Sequence, residues 1–489
     1  MPAYDFDLGI IGGGAAGLTV AAGSARAGAK TLLIEKETRL GGDCLHFGCV
    51  PSKTLIKTAK VRHLAQNAPA FGLPEASLPP VDFRLVRQHI RDVIEKIQVH
   101  DSAARFCELG ARVIFGDPEF TDDHQATIDG QAYSARTWVL ACGSSPAPLP
   151  LKNLSRNAYL TNREIFYLDA LPSSMIILGA GPMAIEMAQA FGRLGTKVQV
   201  VQRSSGILTR EDPDLAQAVQ AALEAEGVVF HLNAQVLDIA DQGGVKNARI
   251  FSPDKGERLL RGQALLGALG RTPNTAGLAL EKAGVDHGPK GIVTDNRLRT
   301  SRKHIFAAGD VTGGPQFTHA AGYQGGIVTA NAVFHLPRRV DYSLMPHCTF
   351  TDPELAGVGH NEMSARAEGL EYRVLVEEFE QNDRFLTEGG TSGKLKLLID
   401  PRGRPLGVQI LGPSAGEILS QWITVLGGKI KLSTLAGSIL PYPTLAEINK
   451  RVAGAFLAPK IFSENVKKTL KFFFDFKGRA CLPPRDPQS

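Results

Sequence analysis

Two cysteines, separated by four residues, stand in the segment Gly41-Gly42-Asp43-Cys44-Leu45-His46-Phe47-Gly48-Cys49-Val50-Pro51-Ser52-Lys53. At an irregular helix start this spacing can bring two sulfurs within bonding distance, as a redox dithiol requires. A structural zinc site would need a second ligand pair, and no C-x-x-C or close histidine pair accompanies this one. His46 reads as a side chain of the local turn without an assigned role. The cation of Lys53 can favour thiolate formation at the pair. Of the other cysteines, Cys107, Cys142, Cys348 and Cys481, none has a close partner in sequence, and Cys142 and Cys348 read as small core residues.

A redox pair needs a source of electrons, and two segments can supply one. Leu8-Gly9-Ile10-Ile11 runs into Gly12-Gly13-Gly14-Ala15-Ala16-Gly17, and Met175-Ile176-Ile177-Leu178 runs into Gly179-Ala180-Gly181-Pro182-Met183-Ala184. Both fit G-x-G-x-x-G/A between a strand and a helix, the setting for dinucleotide binding. Gly12 and Gly179 permit the turns, Gly14 and Gly181 let backbone N–H groups approach a pyrophosphate, and Gly17 lets helix pack on strand. The helix N-terminus then faces the anion.

The residues after each turn separate two ligands. Glu35 ends the next strand, where a carboxylate accepts hydrogen bonds from an unphosphorylated ribose, as in FAD or NAD. The same count from Gly179 reaches Gln202, followed by Arg203. A guanidinium in place of a carboxylate suits a 2′-phosphate, which favours NADPH over NADH, with Arg210 assisting. The alternative for Arg203 is a solvated surface arginine. Two further strands run into glycine: Thr137-Trp138-Val139-Leu140-Ala141-Cys142-Gly143 and Ile305-Phe306-Ala307-Ala308-Gly309-Asp310. Asp310 can bind a ribityl or phosphate-proximal hydroxyl, or simply form a turn.

These motifs imply several compact units, which 489 residues allow. The expected fold is α/β, with two Rossmann-like dinucleotide-binding units, and an α+β unit from about residue 341 whose work is association. The boundaries read as 1–150 and 271–340 for an FAD-binding unit, 151–270 for an NAD(P)-binding unit, and 341–489 for a dimerisation unit with a C-terminal extension. A net charge of +5, from 54 basic and 49 acidic residues, does not point to nucleic acid. No apolar run reaches the roughly 18 residues that span a bilayer, and the first residues lack a basic n-region. A cytoplasmic location is expected, where so few cysteines would be reduced.

The extension Leu457 to Lys477 mixes lysines with Phe472, Phe473, Phe474 and Phe476. Such a stretch can lie on an anionic membrane surface, in peripheral contact. The alternative is a helix that packs its aromatics on the body or on a partner subunit.

Taken together, these motifs make the chain resemble the flavoprotein disulfide reductases with two dinucleotide-binding domains, a family that includes dihydrolipoyl dehydrogenase, glutathione reductase and mercuric reductase. The resemblance covers nearly the whole chain. It implies FAD, a nicotinamide nucleotide, a homodimer, and a redox-active disulfide between Cys44 and Cys49. It also implies that Cys44 attacks the acceptor while Cys49 makes the charge-transfer contact with flavin. Lys53 then matches a flavin-side lysine paired with a glutamate, here Glu186. Gly42, Gly143, Asp310 and His319 fall at flavin-site positions.

Disulfide-reducing members carry a C-terminal His-Pro-Thr-x-x-Glu whose dyad moves a proton across the dimer interface. This chain has Tyr442-Pro443-Thr444-Leu445-Ala446-Glu447. A phenol with an ordinary pKa near 10 is a poor base at neutrality. Tyrosine here resembles mercuric reductase, whose metal substrate wants soft thiolate ligands. Mercuric reductases end in a cysteine pair, and here Cys481 stands alone. The expected acceptor is therefore a thiol-bound metal ion, with no resident metal. The alternatives are a small disulfide or a quinone, with Tyr442 replacing the histidine base, and, in a different class, a flavin-bound or membrane-associated electron carrier.

Overall fold

The computed structural model describes residues 4–481, apart from positions 152, 153, 155, 391 and 479. It divides into two compact units. One holds Met1–Met345 with Thr349–Asp352, and the other holds Pro346–Cys348 with Pro353–Ser489.

The first unit opens with β1 (Phe6–Ile11), α1 (Ala15–Arg26), β2 (Thr31–Glu35), α2 (Gly42–His46) and α3 (Cys49–Gln66). Four strands follow: β3 (Ala111–Phe115), β4 (Pro118–Phe120), β5 (Gln125–Ile128) and β6 (Gln131–Leu140). Their sheet has the order β3-β2-β1-β6-β5-β4, and β11 (Ile305–Ala307) also pairs with β6. The pairings of β1, β2, β3 and β11 are parallel. A parallel sheet covered on both faces requires near-continuous apolar strands, and Leu32, Leu33, Ile34, Val139 and Leu140 are fully buried. Trp138, equally buried, lies opposite Gly9, where a Cβ would come within 2.4 Å of the indole ring. The largest side chain of this core thus fits because its neighbour has none.

A second parallel sheet has the order β9 (Val229–His231), β8 (Lys197–Val201), β7 (Ser174–Leu178), β10 (Ala264–Gly267). Helix α4 (Pro182–Leu194) follows β7 directly. Helix α5 (Thr318–Ala332) returns to pack on α1. A Cβ on Gly23 would meet Thr329 at 2.7 Å, and one on Gly325 would meet the Ala16 carbonyl at 2.8 Å. The small residues of α1 therefore serve a close helix crossing, which fixes where the start of α5 lies.

A five-stranded sheet, in the second unit except for Thr349, has the order β12 (His347–Thr349), β13 (Glu354–Gly359), β16 (Pro405–Gly412), β15 (Lys394–Ile399), β14 (Arg373–Glu378). The pairings of β13, β14, β15 and β16 are antiparallel. Helix α6 (Asp383–Thr387) precedes β15, and α7 (Ala415–Gly427), α8 (Glu447–Ile461) and α9 (Glu464–Phe474) follow β16. The buried Trp422 donates its indole N–H to Asn449 Oδ1 at 2.7 Å, which ties α7 to α8.

Two differences from the sequence expectations are physical. Thr349–Asp352 belongs with the first unit because the Phe350 N–H donates to Glu186 Oε1 at 2.9 Å and Asp352 pairs with Arg193 at 3.1 Å, both on α4. Among the described residues the aromatics of α9 are left exposed. None of that helix is buried and Phe472 is 82% exposed, its ring edge-on to Phe473 at 5.2 Å. Among the described residues no helix is long and apolar enough to cross a membrane.

Candidate active site

The first glycine-rich turn is shaped by steric need. Gly12 has φ +110°, and a Cβ there would sit 2.3 Å from the Ala141 carbonyl. A Cβ on Gly17 would meet the Gly12 carbonyl at 1.8 Å. At Gly14 the nearest atom to a Cβ is Gly42 Cα at 3.8 Å, so this backbone edge is open. Glu35 is buried and accepts from the Gly13 N–H at 2.6 Å and the Glu37 N–H at 2.8 Å. An open turn at a helix N-terminus, with a fixed carboxylate at the next strand end, fits the pyrophosphate and ribose of FAD. Gly143 follows β6 at φ +67° with open space beside it.

The second turn repeats the pattern. Gly179 has φ +104° and would strike the Ala268 carbonyl at 2.5 Å, while Gly181 faces open space. Arg203 is exposed just past the end of β8, and no hydrogen bond or ion pair to another described residue holds its guanidinium.

Gly41 and Gly42 join the first turn to the cysteines. The Gly41 N–H donates to the Gly13 carbonyl at 2.8 Å. Asp43, beside Cys44, pairs with Arg271 at 3.0 Å and accepts from Asn162 Nδ2 at 3.1 Å. Arg271 Nε also donates to Ser144 Oγ at 2.7 Å, and that hydroxyl donates to Asp310 Oδ2 at 2.6 Å. One guanidinium therefore links the residue before Cys44 to the carboxylate expected at the flavin. Sequence reasoning missed it, although Arg271 follows Gly270 a few residues past the end of strand β10.

Cys44 and Cys49 carry free thiols that shift one another's acidity. The Cys44 thiol lowers the pKa of Cys49 to about 6. Thr318, whose Oγ1 lies 3.2 Å from the Cys49 sulfur, and the Lys53 cation act in the same direction, against burial and Glu186. Cys44 is pushed up, first by its hydrogen bond with Cys49 and then by burial. Cys49 is thus the thiolate near neutrality and Cys44 holds the proton. Lys53 Nζ lies 2.5 Å from Glu186 Oε2 and 4.4 Å from the centre of the Phe350 ring. Cys142 packs against the core of the first unit, and burial pushes its thiol up to about 12.

The structure therefore brings Gly12, Gly14, Glu35, Gly42, Cys44, Cys49, Lys53 and Glu186 into one connected region, with Asp310 joined to it through Arg271. His319 is exposed, stacked on Phe317 at 5.1 Å, and follows Thr318, which had no sequence signal apart from that neighbour. In the second unit Tyr442 and Glu447 are not a dyad. Glu447 Oε2 accepts from the Thr444 N–H at 3.3 Å, and the Tyr442 hydroxyl donates to Asp383 Oδ2 at 2.6 Å. That bond raises the Tyr442 pKa, which makes it a weaker proton donor and an even rarer phenolate at neutrality.

An acidified thiol beside a protonated one, in a chain with two dinucleotide turns, defines an oxidoreductase that moves electrons between bound nucleotides and a dithiol. The chain belongs to the pyridine nucleotide-disulphide oxidoreductases: the family's main model matches residues 6–325 and its dimerisation domain residues 345–453. It is an FAD-binding, NAD(P)H-dependent enzyme, and the dimerisation domain points to a homodimer. It is 32% identical to a mercuric reductase of Staphylococcus aureus, over 95% of this chain and 84% of the relative. It is 31% identical to a dihydrolipoyl dehydrogenase of Bacillus subtilis, over 90% of this chain and 96% of the relative. The solved Cu(II) complex of the HOCl-induced flavoprotein disulfide reductase RclA from Escherichia coli aligns with TM-score 0.81 and 28% identity, covering 91% of this chain and 98% of that one.

Proposed function

We propose that the chain is an NADPH-dependent reductase of a thiol-bound metal ion, similar to mercuric reductase and working in the cytoplasm as a homodimer. The observation that carries this is the pairing of Tyr442 with Asp383 where a disulfide reductase of this family would keep a histidine–glutamate dyad. A phenol committed to Asp383 is a poor proton exchanger near neutrality, whereas the cysteine pair needed by a soft metal is retained. The mercuric reductase relatives and the Cu(II) complex of RclA support a metal acceptor.

Bound FAD would supply two-electron transfer between the nicotinamide and the acceptor side of the site. The chain's own residues do the rest. Gly14 and Gly181 present open backbone to the pyrophosphates, Glu35 orients a ribose, and Arg203 receives a 2′-phosphate. Cys49 is held as thiolate by Cys44, Thr318 and Lys53, while Cys44 meets the acceptor. For mercuric ion held by two thiols, the hydride and one proton yield the metal, NADP⁺ and two free thiols, which balances electrons and charge.

The test is NADPH oxidation with Hg(II), Cu(II), oxidised glutathione, lipoamide and quinones. Metal turnover that survives Cys481→Ser and vanishes with Cys44→Ser is expected. Rapid turnover of lipoamide or glutathione disulfide, with none of either metal, overturns the proposal.

A further inference from the structure

Asp383 was not singled out by any sequence motif, yet the turn that carries Tyr442 is built around it. Asn382, only 2% exposed, caps α6 by accepting from the Phe385 N–H at 3.0 Å, and its Nδ2 donates to the Thr444 carbonyl at 3.1 Å. Thr444 Oγ1 donates to the Pro441 carbonyl at 3.0 Å, and Glu447 is occupied by the Thr444 N–H. The start of α6 and the turn 441–447 are thereby locked together, which sets Asp383 against the phenol. Apart from Asp383, the charge acting on Tyr442 is that of Glu447, of the same sign.

We propose that Asp383 selects the class of acceptor. By accepting the Tyr442 proton it leaves the phenol oxygen with only lone pairs to offer, beside a fixed negative charge. This rests on the proposed metal reductase function, in which the family resemblance assigns the Tyr442 turn to the acceptor. In disulfide reduction an enzyme thiolate attacks one sulfur, the S–S bond breaks, and the electron pair stays on the leaving sulfur, which needs a proton. A hydroxyl committed to a carboxylate does not supply it, and the carboxylate repels the growing anion. A metal centre brings the opposite charge and meets an oxygen able to accept it. Asp383 is a positioning and specificity residue, since it acts through Tyr442.

The experiment compares holoenzyme with Asp383→Asn, Asp383→Glu, Tyr442→Phe and the Asp383→Asn/Tyr442→Phe double variant. Acceptors are Hg(II) in excess cysteine and the aromatic disulfide DTNB, and tyrosine ionisation is followed by ultraviolet difference titration against Tyr442→Phe. In Asp383→Asn, Tyr442 should ionise about one pH unit lower, and kcat/KM for the disulfide relative to the metal should rise about tenfold. Asp383→Glu should keep the wild-type ratio, and in the Tyr442→Phe background the Asn substitution should leave the ratio unchanged. A lowered Tyr442 ionisation with an unchanged ratio overturns the proposal, as does an unshifted ionisation. If wild type reduces no Hg(II), the metal function fails on its own. The disulfide rate of Asp383→Asn against wild type then still decides the role of Asp383.

Discussion

Thr318 Oγ1 and Cys49 Sγ lie 3.2 Å apart, and each belongs to the first residue of a helix, α5 and α3 respectively. Two positive helix ends therefore converge on one sulfur, together with the Thr318 hydroxyl and the Cys44 thiol. All of these favour negative charge on Cys49. Because its pKa is depressed to about 6, the thiolate persists above that pH and is lost as pH falls through it. Thr318→Val removes one donor and should raise the Cys49 pKa by about one unit. Ultraviolet thiolate absorbance of the reduced protein against pH reads this directly, and an unmoved midpoint would show that the hydroxyl does not tune the sulfur.

Glu186 pulls stability and acidity in opposite directions. It is 5% exposed, accepts from the Phe350 N–H at 2.9 Å and pairs with Lys53 at 2.5 Å, yet its charge opposes ionisation of Cys49. Glu186→Ala leaves an amide and a cation without their partner. Lys53 is 36% exposed, so solvent screens part of the loss, and about 1–3 kcal/mol is expected. The melting temperature should fall while the Cys49 pKa drops further. A variant that melts lower with Cys49 unchanged would show that Glu186 is structural only.

Much of this was legible because it is local. The G-x-G-x-x-G turns, the strand-end Glu35 and Arg203, and the spacing of Cys44 and Cys49 are each read within a few dozen residues, where chain geometry limits the outcomes. The pairing of Lys53 with Glu186 was reachable only through the resemblance, since 133 positions separate them. What escaped depends on tertiary placement. Thr318 reaches Cys49 from 269 positions away because Gly23 and Gly325 allow α5 to lie close on α1. Arg271 joins Asp43 to Ser144 and Asp310 across three chain segments. Asp383 took the hydrogen bond that short-range spacing would assign to Glu447, because the turn at Thr444 had already used that carboxylate.

Arg203 makes the coenzyme preference testable. A guanidinium that no described neighbour holds costs little to recruit to a phosphate, and it discriminates by charge and bidentate hydrogen bonding. Arg203→Ala should raise KM for NADPH about tenfold or more with kcat nearly unchanged, and leave KM for NADH within about twofold. Steady-state kinetics with both coenzymes measure this. Equal changes for both would mean that Arg203 does not recognise the 2′-phosphate.

Gly42 offers a steric test of how tightly the first glycine-rich turn closes on the cysteine segment. It has φ +61°, and a Cβ there would sit 2.8 Å from Gly14 Cα, a backbone atom that cannot swing aside. Gly42→Ala therefore combines a left-handed backbone penalty of about 1–2 kcal/mol with displacement of the turn proposed to approach the pyrophosphate. Gly130 provides the comparison, since it has φ +81° and nothing within 4 Å of a Cβ. Gly130→Ala should lower stability by the backbone term alone and keep its FAD, whereas Gly42→Ala should release FAD on gel filtration, measured as flavin absorbance per chain. If both variants retain flavin equally, the approach of Gly42 to Gly14 does not shape the cofactor site, and the link from the nucleotide turn to the cysteine helix must run through the Gly41–Gly13 hydrogen bond instead.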